Sequence, residues 1–276
     1  MLNLPKEINE RYGKNIDKMP RLLGAGEVPI SVSGIMQARL EQGNEFPDLW
    51  NNWYDTSDLV VYTEGNNKEL YVFLTVDNQG KITKNGRKAL ELIRQDNLAS
   101  NHGAIVEQLK DLGRKGLIKV PRNKITTENY LTRDQVLDEQ VWRILARDSN
   151  EVHEDFAEED GLLGKYFDEV ASRTKDPKNM ALYVGDSLKD QTTLKAWCVD
   201  WLGYRSFAYG RNDLDDDNGR LLGIAPEAQN VPDKIEKVSQ LEESVKDALS
   251  QKQAFEYQGT LYVPVQDKKV RLEEKK

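Results

Sequence analysis

The chain has 276 residues, of which 38% are hydrophobic and 31% are charged, and its formal net charge is −8. No apolar run approaches the ~18 residues that a membrane-spanning helix needs, and the first residues lack the basic and apolar segments of a secretory signal. The single cysteine, Cys198, excludes an intramolecular disulfide and a Cys-rich zinc site. The composition therefore predicts a soluble cytoplasmic protein with no membrane partner.

The first part of the chain predicts an irregular segment followed by an antiparallel strand meander. Residues 1–45 are weakly patterned and carry several glycines, which favours irregular backbone with a short helix at 35–41. Trp50 and Trp53 follow, and they are expected either in the core or on a partner-binding surface. Three strand-like runs, separated by Asn- and Gly-rich turns, then lie at 59–63, 69–76 and 80–83.

Amphipathic patterns predict four helices after the meander. They lie at 87–95, at 104–115, from Thr132 onward, and at 154–172. Thr132-Arg-Asp-Gln135 forms a capping box, in which the threonine and glutamine side chains satisfy free amides at the start of the helix.

A strand–loop–helix–strand unit is predicted between residues 180 and 209. A short apolar strand is followed by a helix from Leu188 to about Leu202 and by a second strand from Arg205 to Tyr209. Trp197 and Trp201 would then share one face of the helix, which predicts that both lie in the core.

The C-terminal part predicts an appendage to the rest of the chain. A linker is expected at 226–232, a two-stranded hairpin at 255–263 and a frayed end at 271–276. The predicted domains are therefore a main domain at 1–228 and a helix–hairpin appendage at 229–276. The helix of the appendage has an apolar stripe, which predicts packing on the main domain or on a second copy of the chain. The stripe within 235–249 consists of Ile235, Val238, Leu241, Val245 and Leu249.

The run Val184-Gly185-Asp186-Ser187, with Asp190 after it, resembles the fourth motif of the haloacid dehalogenase-like phosphotransferases. The resemblance covers residues 180–210. It implies that Asp186 and Asp190 hold Mg²⁺ beside a phosphate, and that Asp77 and Asp186 are catalytic. Gln79 stands where the family has a second aspartate, so the general acid of that family would be missing. The structural alternative is that Asp186 only caps a helix and that Asp77 lies in a hairpin turn.

Asp58 and Glu69 lie on neighbouring predicted strands, an arrangement that resembles the metal-binding core of restriction-type nucleases. The nuclease pattern requires a lysine two residues after the glutamate, and this chain has Tyr71 there. The alternative is that both acids are solvated strand residues.

A basic segment at 104–124 is similar to the recognition helix and first wing strand of winged-helix proteins. Its nucleic-acid contacts would be Lys110, Arg114, Lys115 and Lys119. An ordinary amphipathic helix with a basic exposed face explains the same pattern, and the net acidity of the chain disfavours broad contact with phosphates.

Asp213, Asp215 and Asp217 alternate as the ligands of calcium loops do. The glycine and the bidentate glutamate of an EF-hand are replaced by Asn218 and Ile224. The pattern predicts either a weak divalent-cation site or a surface loop.

In chain order, these elements predict an α/β or α+β fold. We expect a mixed sheet with a strand meander and packed helices, in addition to the helix–hairpin appendage. Every catalytic motif lacks a required member, which favours a binding or interaction protein. A Mg²⁺-dependent phosphatase and a nucleic-acid-binding protein stay open as alternatives. The sequence establishes no cofactor, and Mg²⁺ is the cation that the phosphatase-like motif implies.

Overall fold

The computed structural model divides the chain into two units, residues 1–226 and residues 227–276. Among the residues that the structure describes, no helix has both the length and the apolar character that a membrane span requires. Those residues are 9–65, 68–77, 80–93, 117–148, 161–186, 192–224, 255–257, 260–265 and 269–273.

One mixed sheet organises the first unit. Its central strands follow the order β1-β9-β3-β7-β8-β6, while β2 pairs with β9, and β4 joins β3 to β5. Most pairs are antiparallel, but β6 with β8 and β3 with β9 are parallel. The strands are β1 Asn9–Tyr12, β2 Val28–Pro29, β3 Tyr54–Tyr62, β4 Glu69–Phe73, β5 Leu117–Pro121, β6 Leu182–Val184, β7 Thr193–Val199, β8 Ala208–Asp213 and β9 Arg220–Ile224.

Helices pack on the sheet and complete an α+β fold, as the sequence predicts. Among the described residues they are α1 Asn15–Gly24, α2 Val32–Gln42, α3 Asp48–Asn51, α4 Lys84–Leu92, α5 Arg133–Asp138, α6 Gln140–Ala146 and α7 Leu162–Thr174. The capping box is confirmed at the start of α5, where Thr132 accepts from the amide of Gln135 and the Gln135 side chain accepts from the amide of Thr132. The predicted helix at 104–115 lies outside the described residues.

Strand β3 is the centre of the core, and all nine of its residues are buried. Val60 and Tyr62 face a cluster that includes side chains of α2, α6 and α7. Leu59 and Val61 face a second cluster that includes side chains of α1 and α4. Since successive strand residues point to opposite faces, both faces of β3 are covered, which explains the apolar run at its end, residues 59–62.

The meander is confirmed in its first two strands and wrong in its third. The run at 80–83 contributes a single bridge between Val76 and Ile82, and β5 takes the place beside β4. Thr83 instead caps α4, because its hydroxyl accepts a hydrogen bond from the amide of Gly86 at 2.8 Å. A helix start therefore replaces the end of the predicted strand.

The helix predicted from Leu188 to Leu202 is wrong where the structure describes it. Residues Thr193–Val199 form β7, which pairs with β3 on one side and with β8 on the other. Six of its seven residues are buried, so pairing and burial at the sheet centre override the local helical pattern. The strand that follows is β8, which begins three residues later than the predicted strand.

The N-terminal segment is more regular than predicted. Helix α1 and strand β1 occupy part of the region expected to be irregular, while α2 contains the predicted helix at 35–41. Helix α7 covers the second part of the helix predicted at 154–172.

The second unit contains a three-stranded antiparallel sheet, with β10 at Phe255–Tyr257, β11 at Thr260–Val265 and β12 at Lys269–Glu273. The predicted hairpin is confirmed by the pairing of β10 with β11. The frayed end is wrong in its first part, because β12 pairs with β11 there. The predicted linker and the apolar stripe at 235–249 lie outside the described residues.

Candidate functional site

Five aromatic side chains form a continuous surface on the first unit. They are contributed by β6, by the turn after β7 and by the start of β8. Trp201 is 41% exposed and Tyr204 is 53% exposed, while the other three are partly exposed. We call this set the aromatic surface; its members are Tyr183, Trp201, Tyr204, Phe207 and Tyr209.

Strand alternation explains why the rings face outward. Tyr183 on β6 lies directly opposite Tyr209 on β8 in the parallel register. Leu182 and Ala208, which precede them, are completely buried. Since side chains alternate between the faces of a sheet, burial of the intervening residues directs the aromatic residues to the opposite face.

A close contact on the inward side fixes the position of β8. A Cβ atom at Gly210 would lie 2.9 Å from the ring of Trp197 and 3.1 Å from the hydroxyl of Tyr62, so only glycine fits without displacement. The Tyr62 hydroxyl donates to the carbonyl of Gly210 at 2.6 Å and accepts from the amide of Gly185 at 2.9 Å. Burial raises the pKa of Tyr62 to about 12. One buried phenol therefore joins the strands that carry Tyr183 and Tyr209.

The turn that carries Trp201 and Tyr204 is anchored by a buried polar group. The Ser206 hydroxyl accepts from the guanidinium of Arg39 at 2.9 Å and is hydrogen bonded to Tyr166 at 2.5 Å. Ser206 has a φ of 53°, a left-handed conformation that is uncommon for a residue with a side chain. These buried contacts hold the strained turn in place.

Asp200 closes the same turn from its other end. Its carboxylate accepts from the amide of Trp201 at 2.7 Å, and its own amide donates to the carbonyl of Phe207 at 3.0 Å. Burial raises the pKa of Asp200 above its usual value.

The rings of the aromatic surface are inclined to each other. Tyr183 and Phe207 have centroids 4.7 Å apart and planes at 60°, and the Trp201–Tyr204 pair is 5.6 Å apart at 48°. The Tyr204–Phe207 pair, 5.9 Å apart at 52°, links these two contacts. The rings therefore meet edge to face or at a tilt, and none of these pairs is stacked in parallel.

Arginine–carboxylate pairs border the aromatic surface. Three pairs have nitrogen–oxygen distances of 2.9, 2.8 and 3.4 Å: Arg205–Asp176, Arg211–Glu128 and Arg122–Asp186. Two of the guanidiniums also lie near rings, Arg205 at 4.6 Å from the centroid of Tyr130 and Arg211 at 5.9 Å from that of Tyr209. Each of these three arginines is therefore balanced by a carboxylate.

The predicted catalytic aspartates lie in different settings. Asp77 begins a turn in which its carboxylate accepts from the amide of Lys81 at 2.9 Å, as the structural alternative predicts. Asp186 follows β6 and is 92% exposed beside Arg122. Asp190 lies outside the described residues. The metal and catalytic roles of these residues stay predictions.

The predicted calcium loop lies between β8 and β9. Asp213 is paired with Lys195, Asp217 lies 3.6 Å from Lys14, and Asp215 is exposed. Within the described ranges, no group of three or more His, Cys, Asp or Glu side chains is placed to hold a metal ion.

The acids of the nuclease-like pattern are engaged in ion pairs. Asp58 is completely buried and pairs with Arg147. Glu69 pairs with Lys119, which also belongs to the predicted nucleic-acid segment. Lys110, Arg114 and Lys115 of that segment lie outside the described residues.

The aromatic surface was not predicted, because the pattern placed Trp197 and Trp201 on one face of a helix and predicted that both lie in the core. Trp197 is buried as expected, but in a strand, and Trp201 is exposed instead of lying in the core. Trp50 is 2% exposed and stacks on Tyr166, which places it in the core. The available signal was the spacing of Phe207 and Tyr209, which predicts two aromatic residues on the same face of a strand.

The chain matches no protein-family model and no curated protein sequence. It is similar to a solved structure described as "Accommodation of massive sequence variation in Nanoarchaeota by the C-type lectin fold". The TM-score is 0.54 at 12% sequence identity, and the similarity covers 81% of this chain and 100% of that chain. This likeness shows the fold alone: the chain is an α+β protein whose fold is similar to that of a structure described as a C-type lectin fold.

Proposed function

We propose that the chain is a binding protein without catalytic activity, and that it contacts its ligand through the aromatic surface. The observation that carries this proposal is the continuity of five outward-facing rings, each in contact with at least one other member. Contiguous exposed apolar patches mark interaction sites in soluble proteins. Tyrosine, tryptophan and arginine are also the residues that contribute most to binding energy at interfaces.

The placement of the polar residues supports a binding role over a catalytic one. Asp58 is held by both terminal nitrogens of Arg147 at 2.9 and 2.8 Å and by the amide of Val32 at 3.0 Å. Asp55 accepts from Asn212 at 2.6 Å and from the amide of Arg220 at 3.1 Å. These buried acids are engaged inside the sheet, which favours the aromatic surface as the contact region.

The solved neighbour supports one further part of the proposal. Its description states that the C-type lectin fold accommodates massive sequence variation. In this chain the aromatic surface lies outside the buried core, so its side chains can change while the inward-facing Leu182, Ala208 and Gly210 maintain the sheet. We propose that this surface determines which ligand is bound.

The setting of the proposed binding protein is the cytoplasm, as the composition predicts. Cys198 is the single cysteine and is buried, and burial raises its pKa well above the ordinary value. A thiol held in its neutral form reacts slowly with disulfides.

Selection from a random peptide library displayed on phage, with the full-length chain as bait, tests the proposal. We expect selected peptides to bind the wild type at least tenfold more tightly than the double variant Trp201→Ala/Tyr204→Ala. Tyr12→Ala is the matched control, because Tyr12 is 60% exposed on β1, outside the aromatic surface. The proposal is wrong if selected peptides bind the double variant as tightly as the wild type, or if no peptide is selected.

A further inference from the structure

Three oxygen atoms from distant parts of the chain converge beside Gly219, directly before β9. A Cβ atom built there would lie against the carbonyl oxygen of Gly13, 2.8 Å from Asn15 Oδ1 and 3.2 Å from Asp55 Oδ2. All three oxygens therefore face one position that no side chain fills. Gly13 follows β1, Asn15 begins α1 and Asp55 lies on β3, so the fold brings the three together.

The Asp55 carboxylate is a buried charge without a cationic partner. Asp55 is 1% exposed, and no lysine or arginine among the described residues forms an ion pair with it. Its hydrogen bonds come from neutral donors, the side-chain amide of Asn212 at 2.6 Å and the backbone amide of Arg220 at 3.1 Å. Burial raises its pKa, and the neighbouring acid Asp216 raises it further. Buried charges in proteins are paired or coordinate metals, and a carboxylate has roughly four lone-pair sites, so Asp55 can still bind a cation.

Asn15 supplies an independent observation at the same position. Its side chain is 1% exposed, yet in the described part of the chain neither its oxygen nor its nitrogen forms a hydrogen bond of normal geometry. Its amide group lies close enough to Asp55 to offset part of the pKa rise that burial causes, and its oxygen faces the position beside Gly219. Since buried side-chain polar atoms are nearly always hydrogen bonded, an amide oxygen with no donor here is a candidate ligand for a cation.

The chemistry of the three oxygens selects the class of cation. A carboxylate, a side-chain amide and a backbone carbonyl are hard oxygen ligands, which suit Ca²⁺ better than softer metals. A carbon atom cannot approach oxygens as closely as a Cβ at Gly219 would, whereas Ca²⁺ bonds oxygen at about 2.3–2.6 Å. Mg²⁺ demands near-ideal octahedral geometry and gives up its water reluctantly, so an irregular buried group of oxygens favours Ca²⁺.

We infer that Gly13, Asn15 and Asp55 form a Ca²⁺ site, with water as the remaining ligands. This site is independent of the proposed ligand-binding function. It differs from a cluster of acids, because two of its three protein ligands are uncharged. It also differs from the predicted calcium loop, whose Asp213 and Asp217 are paired with lysines. The bound ion would neutralise Asp55 and connect β3 to the start of α1.

Thermal unfolding and isothermal titration calorimetry of the full-length chain test the inference. Relative to EDTA, CaCl₂ at about 5 mM should raise Tm by about 3 °C or more, because an ion that binds only the folded chain stabilises it. MgCl₂ at the same concentration should produce less than half of this shift, with the ionic strength held constant by KCl. Calorimetry should show saturable binding of one Ca²⁺ per chain.

Two substitutions at the site and one matched control locate the bound ion. Asp55→Asn preserves the shape of the side chain and removes its charge, so it should abolish the Tm shift with CaCl₂. Asn15→Asp adds a second carboxylate and should tighten Ca²⁺ binding at least tenfold, since ligand charge sets the affinity of such sites. Asp215→Asn removes an exposed acid of the loop between β8 and β9 and should leave binding unchanged.

Four outcomes overturn the inference. The first is that CaCl₂ causes neither a binding heat nor a Tm shift. The second is that MgCl₂ binds as tightly as CaCl₂, which contradicts the assignment to Ca²⁺. The third is that Asp215→Asn abolishes binding while Asp55→Asn retains it, which places the ion on the exposed loop. The fourth is that Asn15→Asp binds Ca²⁺ no more tightly than the wild type, and this result decides the question if Asp55→Asn fails to fold.

Discussion

Strand β3 buries polar residues, whereas strand β8 directs aromatic residues to the surface. In β3 the consecutive residues Asp55, Thr56, Ser57 and Asp58 are at most 1% exposed. At β8 the aromatic residues face outward, while the small residues Ala208 and Gly210 are buried. The interior of this sheet therefore carries charge, and part of its surface carries large apolar rings.

The difference between the two strands follows from the hydrogen-bond partners that surround their side chains. The β3–β7 ladder is interrupted between Asp55 and Leu59, and side chains take over hydrogen bonds there. Burial raises the pKa of Asp55, partly offset by the hydrogen bonds from Asn212 and Arg220. The polar residues of β3 are thus satisfied internally and serve the fold. Among the described residues, the aromatic side chains near β8 form no such hydrogen bonds, and the ligand-binding role that we propose for them relies on their exposure.

The buried ion pair is the strongest test of the structural role of β3. Asp58→Ala leaves the guanidinium of Arg147, 4% exposed, without its carboxylate, and it removes the acceptor of the Val32 amide. We expect the free energy of unfolding to fall by about 3–5 kcal/mol. Urea denaturation followed by circular dichroism measures the change.

Asp168→Asn is the matched control, because its pair with Arg133 is exposed and should contribute at most about 1 kcal/mol. Equal effects of the two substitutions would contradict the role assigned to the buried pair.

The two faces of β8 can be compared through neighbouring residues. Gly210→Ala places a methyl group 2.9 Å from the buried ring of Trp197, so we expect a loss of about 1–3 kcal/mol from overpacking. Tyr209→Ala, on the outward face, should cost less. Thermal and urea unfolding of both variants measure the difference, and a larger loss for Tyr209→Ala would show that the outward face belongs to the core.

A smaller change in the free energy of unfolding is expected for a substitution in the irregular part of β3. The Thr56 hydroxyl donates to the carbonyl of Trp197 at 2.8 Å, inside the interrupted part of the ladder. Thr56→Val preserves the shape of the side chain and removes this bond, which should lower the free energy of unfolding by about 1 kcal/mol. Thr56→Ser keeps the hydroxyl and serves as the control. A Val variant as stable as the wild type would contradict the stabilising role of this hydrogen bond.

The predictable parts of the fold are those encoded by neighbouring residues. The capping box at Thr132, the helix within α2 and the first two strands of the meander depend on local patterns. The β7 strand depends on β3, more than 130 residues earlier in the chain, and its own sequence resembles a helix. Strand β5 likewise joins β4 from beyond the predicted meander. Pairing over such distances leaves little local signal.

The candidate site was less predictable than the fold for a related reason. Acids such as Asp58 suggest metal chemistry in a sequence, but here Arg147, distant along the chain, neutralises this carboxylate in the core. Trp201 suggests a core position, but the turn after β7 exposes it. Residue type alone therefore suggested a reactive Asp58 and a buried Trp201, whereas the structure buries Asp58 and exposes Trp201. Exposure is decided by strand order and by buried anchors such as Ser206.

The smallest stability effect is expected at the aromatic surface itself. Trp201→Ser and Tyr204→Ser replace the two most exposed rings of the aromatic surface, which take part in ring contacts but in no side-chain hydrogen bond among the described residues. Each should change the free energy of unfolding by about 0.5 kcal/mol or less, as surface substitutions do, and should leave the circular dichroism spectrum unchanged. Urea denaturation beside Asp58→Ala places both changes on one scale. A loss above about 2 kcal/mol for either variant, the size typical of core truncations, would mean that these rings stabilise the fold, and the assignment of the aromatic surface to ligand binding would lose its basis.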